Sequence, residues 1–321
     1  MLGSRKAHKA TATCILTLQS NMQTYLRLFL LALFLLPSGS GGGFSSAATV
    51  RPQFSRVFIV VEENASYSQV IGNPVMPYLN RLAGQYGLAT NYFANTHPSI
   101  GNYFAMTTGR LITNDDGFTG TVSADNIVRR LVAAGKTWHV YAESLPSAGY
   151  TGGNVHSYLK RHNPFAYFSD VTSNIAQAAN IVPFSQFAPD LAHGSLPQYV
   201  FIVPNAQDDA HDCPGGGSCS DDVKLAAADR WLKANIGPLI TSSGFRNGGL
   251  LLITFDEAST ADSRHGGGQI ATVIVSSKAK KGFRSSTFHQ HESLLKLSLR
   301  ALGVKSFPGS AANATEMGEF F

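Results

Sequence analysis

The run Val57-Phe-Ile-Val-Val61 leads directly into the polar residues Glu62-Glu63-Asn64. A short apolar run of this kind is typical of a strand that is buried on both faces, and such strands belong mainly to parallel sheets. Four more runs share this character, namely Trp138-His-Val-Tyr141, Tyr199-Val-Phe-Ile-Val203, Leu250-Leu-Leu-Ile-Thr-Phe255 and Ile270-Ala-Thr-Val-Ile-Val275.

Helix-like segments with recognisable ends separate these runs. Ser123 and Gly135 bracket one segment as a cap and a stop signal, and Gly303 closes the last one. We therefore predict an α/β fold with a mostly parallel central sheet and helices on both faces. The predicted helices cover residues 77–85, 123–134, 221–235 and 291–302.

Composition and charge exclude several classes of protein. The 321 residues are 44% hydrophobic and 14% charged, which excludes a disordered chain, a coiled coil and a collagen-like repeat. Four of the 25 basic residues precede residue 49, where no Asp or Glu occurs, and the rest of the chain balances 21 basic against 20 acidic residues. We therefore predict no binding to nucleic acid.

The first part of the chain has the pattern of a targeting segment. Residues 26–37 are apolar except for Arg27, and Gly, Ser and Ala follow them. The run is short for a membrane span, and its flanks are typical of a secretory signal peptide. We predict that residues 1–48 are this signal and that residues 49–321 form a single secreted or periplasmic domain without a membrane span. The alternative is an uncleaved N-terminal membrane anchor.

Two cysteines, Cys213 and Cys219, flank a Pro-Gly-Gly-Gly-Ser loop whose ends can reach disulfide distance. We predict a disulfide here, which agrees with export, while a metal-binding cysteine pair is the alternative. Residues 144–197 are rich in Gly, Ser, Asn, Pro and aromatic residues and have weak periodicity, so we interpret them as an insertion over the site. His156 and His162 of this insertion are candidates for lining a substrate entrance.

Carboxylates and amides follow directly after three of the predicted strands. Ligands of open α/β sheets bind beyond the carboxyl ends of the strands. So many like charges at one edge would repel each other, and a bound cation is the economical explanation. Helix capping or solvated loop charge is the alternative for any one pair. The residues are Glu62, Glu63 and Asn64, then Asn205, Asp208, Asp209, His211 and Asp212, and finally Asp256 and Glu257.

The candidate nucleophile is Ser99, which follows a proline and starts a helix-like run that Gly109 ends. The exposed N–H groups of a helix start can hold a phosphate, and metal coordination would lower the pKa of the hydroxyl. Asn102 can donate an amide hydrogen to a phosphoryl oxygen. An ordinary N-cap is the alternative role for Ser99, and Thr96 and Thr107 are weaker candidates for the nucleophile.

Six motifs follow one another along the chain. They are Glu63-Asn64-Ala-Ser66-Tyr67 with Val70-Ile-Gly-Asn73, Ala89-Thr-Asn-Tyr-Phe-Ala94, Thr96-His-Pro-Ser99 with Asn102-Tyr103, Pro204-Asn205 with His211-Asp212, Phe255-Asp-Glu257, and His291-Glu-Ser-Leu-Leu295. In this order they resemble the phosphoesterase family, which holds bacterial acid phosphatases and non-specific phospholipases C and belongs to the alkaline phosphatase superfamily. The resemblance runs from Val57 to about Gly303. The chain departs from the family pattern at Gly101, often Pro, and at Ala65, often His.

The resemblance implies a divalent metal ion, with Ser99 as both ligand and nucleophile. It implies further that His211 and His291 contact the phosphate or the leaving group, beside Asn102. Oxygen ligands favour Ca²⁺, Mg²⁺ or Mn²⁺, whereas histidine ligands would favour Zn²⁺ or Fe. The implied ligands are Glu63, Asn64, Ser99, Asp256 and Glu257, with Asp209 and Asp212 as further candidates.

The expected function is that of a secreted, metal-dependent phosphomonoesterase of the acid phosphatase type, which acts on small phosphate esters through a phosphoserine intermediate. The chain is short for a family that includes longer lipases, and no interfacial helix stands out. One alternative is a phosphodiesterase or phospholipase C-like hydrolase that binds a phospholipid headgroup. Another is a non-catalytic exported protein that binds phosphate ligands.

Overall fold

The computed structural model describes residues 53–321, so the predicted targeting segment lies outside the described residues. An eight-stranded sheet forms the centre of the fold, with the strand order β4-β3-β5-β1-β6-β7-β2-β8. The strands are β1 Arg56–Glu62, β2 Gly87–Ala89, β3 Trp138–Ala142, β4 Ile181–Pro183, β5 Tyr199–Val203, β6 Gly249–Phe255, β7 Thr272–Val275 and β8 Arg284–Ser285.

Helices pack on this sheet in two groups, one built around α2 with α8 and the other around α3 with α11. Short 3₁₀ turns occur at Lys160–His162, Pro164–Tyr167, Phe184–Gln186, Gly309–Ala312 and Gly318–Phe320. The α-helices are α1 Tyr67–Val70, α2 Pro77–Gln85, α3 Ser99–Thr108, α4 Ile127–Ala133, α5 Ser169–Thr172, α6 Ile175–Ala178, α7 Phe187–His193, α8 Asp221–Asn235, α9 Gly237–Thr241, α10 Ser243–Arg246 and α11 His291–Ala301.

The prediction of a mostly parallel sheet is confirmed. The central strand β1 runs parallel to β5 on one side and to β6 on the other, and β3 and β4 continue the sheet in parallel. Strand β7 differs, because it runs antiparallel to both β6 and β2. An apolar run indicates that a strand is buried but carries no information about its direction, so the reversal of β7 was not foreseen.

All five predicted strands are present, although β7 begins two residues later than predicted, at Thr272. Helices α2 and α8 have the predicted bounds. The prediction for residues 123–134 was wrong at its start. Val122 pairs with Phe168 in an isolated bridge, and the helix begins only after Asn126, whose side chain caps α4 by accepting a hydrogen bond from the N–H of Arg129 at 3.1 Å.

The segment of residues 144–197 takes part in the central sheet. It supplies the edge strand β4, which pairs in parallel with β3. Its aromatic residues Phe165 and Phe168 are fully buried, and the ring of Phe165 lies 5.2 Å from that of Phe201 in β5. Weak periodicity therefore reflects many short elements that pack individually, and the segment brings its own residues to the strand ends.

The predicted disulfide between Cys213 and Cys219 is present, with the two Cα atoms 5.7 Å apart. A crosslink of this type is typical of proteins in oxidising compartments. Within residues 53–321, no helix is both long enough and apolar enough to cross a lipid bilayer.

Reduction of this disulfide should loosen its own loop and leave the rest of the fold intact. A crosslink across so short a loop contributes only about 2 kcal/mol by chain entropy. We expect the free energy of unfolding, measured by denaturation with and without reductant, to differ by about that amount. Hydrogen exchange should accelerate mainly in residues 213–219. A Cys213→Ser/Cys219→Ser variant should not respond to reductant. Global unfolding on reduction would contradict this expectation.

Candidate active site

The ends of β1, β5 and β6 lie side by side, and the residues that follow them meet at one edge of the sheet. Residue Glu62 pairs with Phe255 in the parallel register, so the next residues, Glu63 and Asp256, become neighbours. The N–H of Glu63 donates to the carbonyl of Asp209 at 2.7 Å, which joins the β5 end to the same edge. The structure thus brings together three strand ends that are far apart in sequence.

Ser99 lies at this edge because it begins α3, with Pro98 in an extended conformation before it. Its hydroxyl donates to Glu63 Oε2 at 3.1 Å, and the phenol of Tyr103, one helical turn later, donates to Glu63 Oε1 at 2.5 Å. Helix α3 ends at Gly109, which is in the left-handed conformation, as the sequence predicts. The helix start therefore fixes Ser99 against the predicted metal ligand.

The contacts of the two adjacent glutamates show which of them faces Ser99. Glu63 faces Ser99, whereas Glu62 is fully buried with no hydrogen-bond partner for either carboxyl oxygen among the described residues. Burial and the charges of Asp209 and Asp208 raise the pKa of Glu62 well above its usual value. A protonated, neutral Glu62 is consistent with this environment.

Asn64 and Asp256 form the next part of the site. Asn64 has φ of 54°, a left-handed conformation that asparagine tolerates better than most residues. Its backbone N–H donates to Asp256 Oδ1 at 3.0 Å, and the N–H of Glu257 donates to the same oxygen at 2.6 Å. The other oxygen, Asp256 Oδ2, is buried and has no hydrogen-bond partner among the described residues.

We use the word cluster for Glu63, Asn64, Ser99, Asp256 and Glu257. Two histidines complete this cluster from the β5 side. His162 places Nδ1 3.1 Å from Asp209 Oδ2 and Nε2 3.4 Å from Glu63 Oε1. Ligand atoms of Glu63, His162 and His211 all lie within 4.8 Å of one another, so these residues can hold a metal ion. A carboxylate behind a histidine, as Asp209 is here, is the usual arrangement that orients a metal-binding imidazole.

The sequence offered His162 as a candidate for lining a substrate entrance and not as a metal ligand, because it lies in the segment with weak periodicity. Only its position directly before Asn163-Pro164, at the end of a 3₁₀ turn, hints at a fixed side chain. The imidazole is fully buried, and Nε2 has no hydrogen-bond partner among the described residues. Burial holds the pKa of His162 well below its usual value, which favours the neutral ring that can act as a ligand.

Two predicted catalytic side chains have structural partners here. Asn102 Oδ1 accepts hydrogen bonds from the N–H groups of Asn95 and Thr96. Its Nδ2 donates to the carbonyl of Thr96 at 2.8 Å and to Glu257 at 3.3 Å. His291 is buried with Nε2 2.6 Å from the carbonyl of Asp256, and burial lowers its pKa to about 4. Both residues hold the loops that carry the cluster, and their predicted contacts with phosphate stay predictions.

The remaining predicted residues also lie at this edge. His211 Nδ1 is 2.8 Å from the largely exposed carboxylate of Asp212, which thus orients the ring from outside. Glu257 Oε1 is 3.2 Å from His97 Nδ1. The structure therefore places all predicted ligands around one cluster, although Asp209 and Asp212 contact histidines in it.

Burial dominates the electrostatics of the cluster. It raises the pKa values of Glu63, Asp209 and Asp256, and nearby carboxylates raise those of Glu63 and Asp209 further. Burial and Asp256 raise the pKa of Glu257 to about 9. Buried carboxylates, a neutral histidine and the unpartnered atoms Asp256 Oδ2 and His162 Nε2 together fit a divalent cation, which would relieve the repulsion.

A glycine-lined loop supports the chain before Ser99. A Cβ atom at Gly267 would lie 2.4 Å from the carbonyl oxygen of Thr96 and 2.7 Å from the Cβ of Ala94. The two segments also share a hydrogen bond, because the N–H of Gly267 donates to the carbonyl of Ala94 at 3.2 Å. Only glycine permits this close approach of two backbones.

We expect Gly267→Ala to impair turnover by displacing the segment that carries the candidate nucleophile, Ser99. A displacement of about 1 Å at a reacting group can cost about 10²-fold in rate. Gly84→Ala in α2 is the matched control, because its Cβ meets nothing within 4 Å. The measurement is kcat together with Tm for both variants. Normal turnover of Gly267→Ala would show that the close approach has no role in positioning Ser99.

Several solved structures share the fold of this protein. A protein of the alkaline phosphatase superfamily from Vibrio parahaemolyticus aligns with a TM-score of 0.53 and 13% identity, over 84% of this chain and 69% of that one. The lipoteichoic acid synthase LtaP from Listeria monocytogenes aligns with a TM-score of 0.57 and 11% identity, over 82% of this chain and 76% of that one. The fold is therefore that of the alkaline phosphatase superfamily.

The chain belongs to the phosphoesterase family, whose model matches residues 73–305 and so includes Ser99, Asp256 and Glu257. A probable acid phosphatase from Kluyveromyces lactis is 34% identical over 75% of this chain. The phosphatidylinositol-3-phosphatase from Mycobacterium tuberculosis is 33% identical over 77% of this chain and 77% of its own length. The match spans only 56% of the Kluyveromyces protein and 58% of an acid phosphatase from Aspergillus fumigatus.

Proposed function

We propose that this protein is a metal-dependent phosphate monoester hydrolase that works through a phosphoserine intermediate. The observation that carries the proposal is the hydrogen bond of 3.1 Å between Ser99 and Glu63, which joins a serine at a helix start to the carboxylate cluster at the strand ends. The names of the relatives, acid phosphatase and phosphatidylinositol-3-phosphatase, support the same class of substrate.

The ion would be held by residues on both sides of Ser99. Glu63, Asn64, Asp256 and Glu257 offer oxygen ligands, and His162 and His211 offer nitrogen ligands. When bound, a divalent cation would lower the pKa of the serine hydroxyl and neutralise charge on the phosphoryl group. Oxygen donors favour Ca²⁺, Mg²⁺ or Mn²⁺, and the two histidines shift the preference toward Zn²⁺.

The chain's own residues would perform the remaining steps. Glu63 accepts the hydrogen bond of the Ser99 hydroxyl, which orients Oγ for attack on phosphorus, and it takes the proton as Oγ bonds to phosphorus and the bond to the leaving oxygen breaks. The N–H of Ile100 donates to Asp116, so another N–H group at the start of α3 would face a phosphoryl oxygen as charge develops. A water molecule, or His211 where it is not a metal ligand, donates a proton to the leaving alcohol. Water then cleaves the phosphoserine.

Export is part of the proposal. The disulfide between Cys213 and Cys219 supports an oxidising compartment, and the pattern of residues 1–48 supports secretion through a signal peptide. An N-terminal membrane anchor remains the competing arrangement. N-terminal sequencing of the protein recovered outside the cytoplasm tests whether the signal peptide has been cleaved.

A substrate panel tests the proposed function. The protein is freed of metal with chelator, reloaded with Ca²⁺, Mg²⁺, Mn²⁺ or Zn²⁺, and assayed with monoesters, diesters and phospholipids, including phosphatidylinositol 3-phosphate. Release of phosphate from monoesters supports the proposal. Release of diacylglycerol from phospholipids would identify a phospholipase C-like enzyme instead. Phosphate binding without turnover of any ester would identify a binding protein.

A further inference from the structure

Arg161 is a buried cation at the edge of the carboxylate cluster, and neither the sequence motifs nor the proposed chemistry gives it a role. It occupies the 3₁₀ turn Lys160–His162, directly before His162, and its side chain is only 16% exposed. Its positive charge lowers the pKa values of Asp209 and Glu257, against the larger effect of burial, which raises them. It also lowers the pKa of His162. The guanidinium therefore lies within the electrostatic field of the site.

Asp116 connects this guanidinium with the nucleophile helix. One oxygen, Oδ1, accepts the N–H of Ile100 at 3.1 Å, directly after Ser99. The other, Oδ2, lies 3.4 Å from Arg161 Nε. One carboxylate thus fixes the position of Arg161 relative to the start of α3.

The donors of Arg161 are not saturated by the protein. Nη2 donates to His211 Nε2 at 2.9 Å, which requires that the proton of His211 lies on Nδ1, beside Asp212. Nε is buried without a hydrogen bond, and Nη1 has no hydrogen-bond partner among residues 53–321. Because Nη2 is engaged by His211 and Nε lies beside Asp116, Nη1 is the donor that is suited to bind an oxygen of a phosphate group.

We propose that Arg161, held by Asp116, binds a charged non-bridging oxygen of the substrate and makes the site select phosphate monoester dianions over diester monoanions. Near neutral pH a monoester carries almost two negative charges, since its second pKa is about 6, whereas a diester carries one. In a monoester, a charged oxygen would lie against the guanidinium of Arg161. In a diester, an uncharged esterified oxygen would lie at the same position. This inference rests on the proposed function and adds the basis of its substrate selectivity.

The test compares Arg161→Gln with the wild-type protein on p-nitrophenyl phosphate and bis-p-nitrophenyl phosphate under identical metal conditions. We expect kcat/KM for the monoester to fall about 10²-fold, as for loss of one charge-stabilising donor, and that for the diester to change less than about threefold. Arg161→Lys keeps the charge but loses the planar fork, so its monoester rate should lie between the two. Asp116→Asn should shift the ratio of the two rates in the same direction by a smaller factor.

Arg129→Gln is the matched control. Arg129 also places Nε near an aspartate, 3.1 Å from Asp170, but it contacts none of the residues of the cluster. Its removal should leave the ratio of monoester to diester rates unchanged. An equal loss of both rates in Arg161→Gln would overturn the proposal, because it would show that Arg161 only positions His211. Unchanged rates would overturn it as well.

A binding measurement separates this inference from the proposed function. Calorimetry of methyl phosphate and dimethyl phosphate with each variant requires no turnover, so it remains decisive if the wild-type protein hydrolyses neither ester. We expect the wild-type protein to prefer methyl phosphate and Arg161→Gln to lose most of that preference. A wild-type protein without the preference, or a variant that keeps it, would overturn the assignment of Arg161 even if the protein proves to be a hydrolase.

Discussion

Ser99→Ala should reduce turnover of a phosphate monoester by at least about 10⁴-fold, the scale seen when an attacking nucleophile is removed. Ser99 is 3% exposed and its hydroxyl donates to Glu63 at 3.1 Å. Alanine fills the same space without strain, so the loss of stability should be about 1 kcal/mol, the value of one hydrogen bond. The measurements are steady-state kinetics and denaturation on the same preparation.

Ser293→Ala is the matched control for this variant. Ser293 is also 3% exposed and also lies in the first turn of a helix, α11, but its side chain contacts no member of the cluster. Its removal should leave turnover unchanged. Acid quenching with labelled substrate should trap a phosphoenzyme in the wild-type protein and none in Ser99→Ala. If Ser99→Ala stays fully active, the nucleophile lies elsewhere, with Thr96 and Thr107 as the next candidates.

Removal of metal should have an effect of similar size. We expect chelator to abolish turnover and one of Ca²⁺, Mg²⁺, Mn²⁺ or Zn²⁺ to restore it. Asp256→Asn should weaken metal affinity by about 10²-fold or more, because it replaces the unpartnered Oδ2 with an amide that cannot act as an anionic ligand. The N–H groups of Asn64 and Glu257, which donate to Asp256 Oδ1, can still donate to the amide oxygen of the variant, so the fold should persist.

Metal content measured by mass spectrometry after dialysis against chelator checks this expectation. Asp170→Asn provides the control, because Asp170 is a carboxylate paired with Arg129 and Asn126 outside the cluster. It should keep wild-type metal content and turnover. Unchanged metal content in Asp256→Asn would remove Asp256 from the ligand set and would shift the site toward Glu63, His162 and His211.

Local signals in the sequence were sufficient for most of the secondary structure and for half of the site. Helices α2 and α8 begin and end as predicted, because Pro77 and the acidic residues Asp221 and Asp222 mark helix starts within one turn. Ser99 was recognised for the same reason, since the residues on either side of it define a helix start. The strand-end positions of Glu63 and Asp256 follow from the parallel sheet.

Contacts between distant residues could not be predicted in this way. His162 becomes a candidate ligand only because Asp209, 47 residues away, orients its ring. Asn102 carries the side chain expected for a phosphate contact, yet folding engages its amide with the backbone of Thr96. The role of Arg161 likewise depends on the position of Asp116 relative to α3.

The sequence alone determined five of the buried strands, where α2 and α8 begin and end, and that Ser99 and several carboxylates occupy positions suited to chemistry. These features depend on interactions within a few residues of the chain. Tertiary structure alone decided the direction of β7, the contact of His162 with Glu63, and the position of Arg161 beside His211. Those outcomes depend on which surfaces pack together across the sheet, and no local pattern encodes that choice.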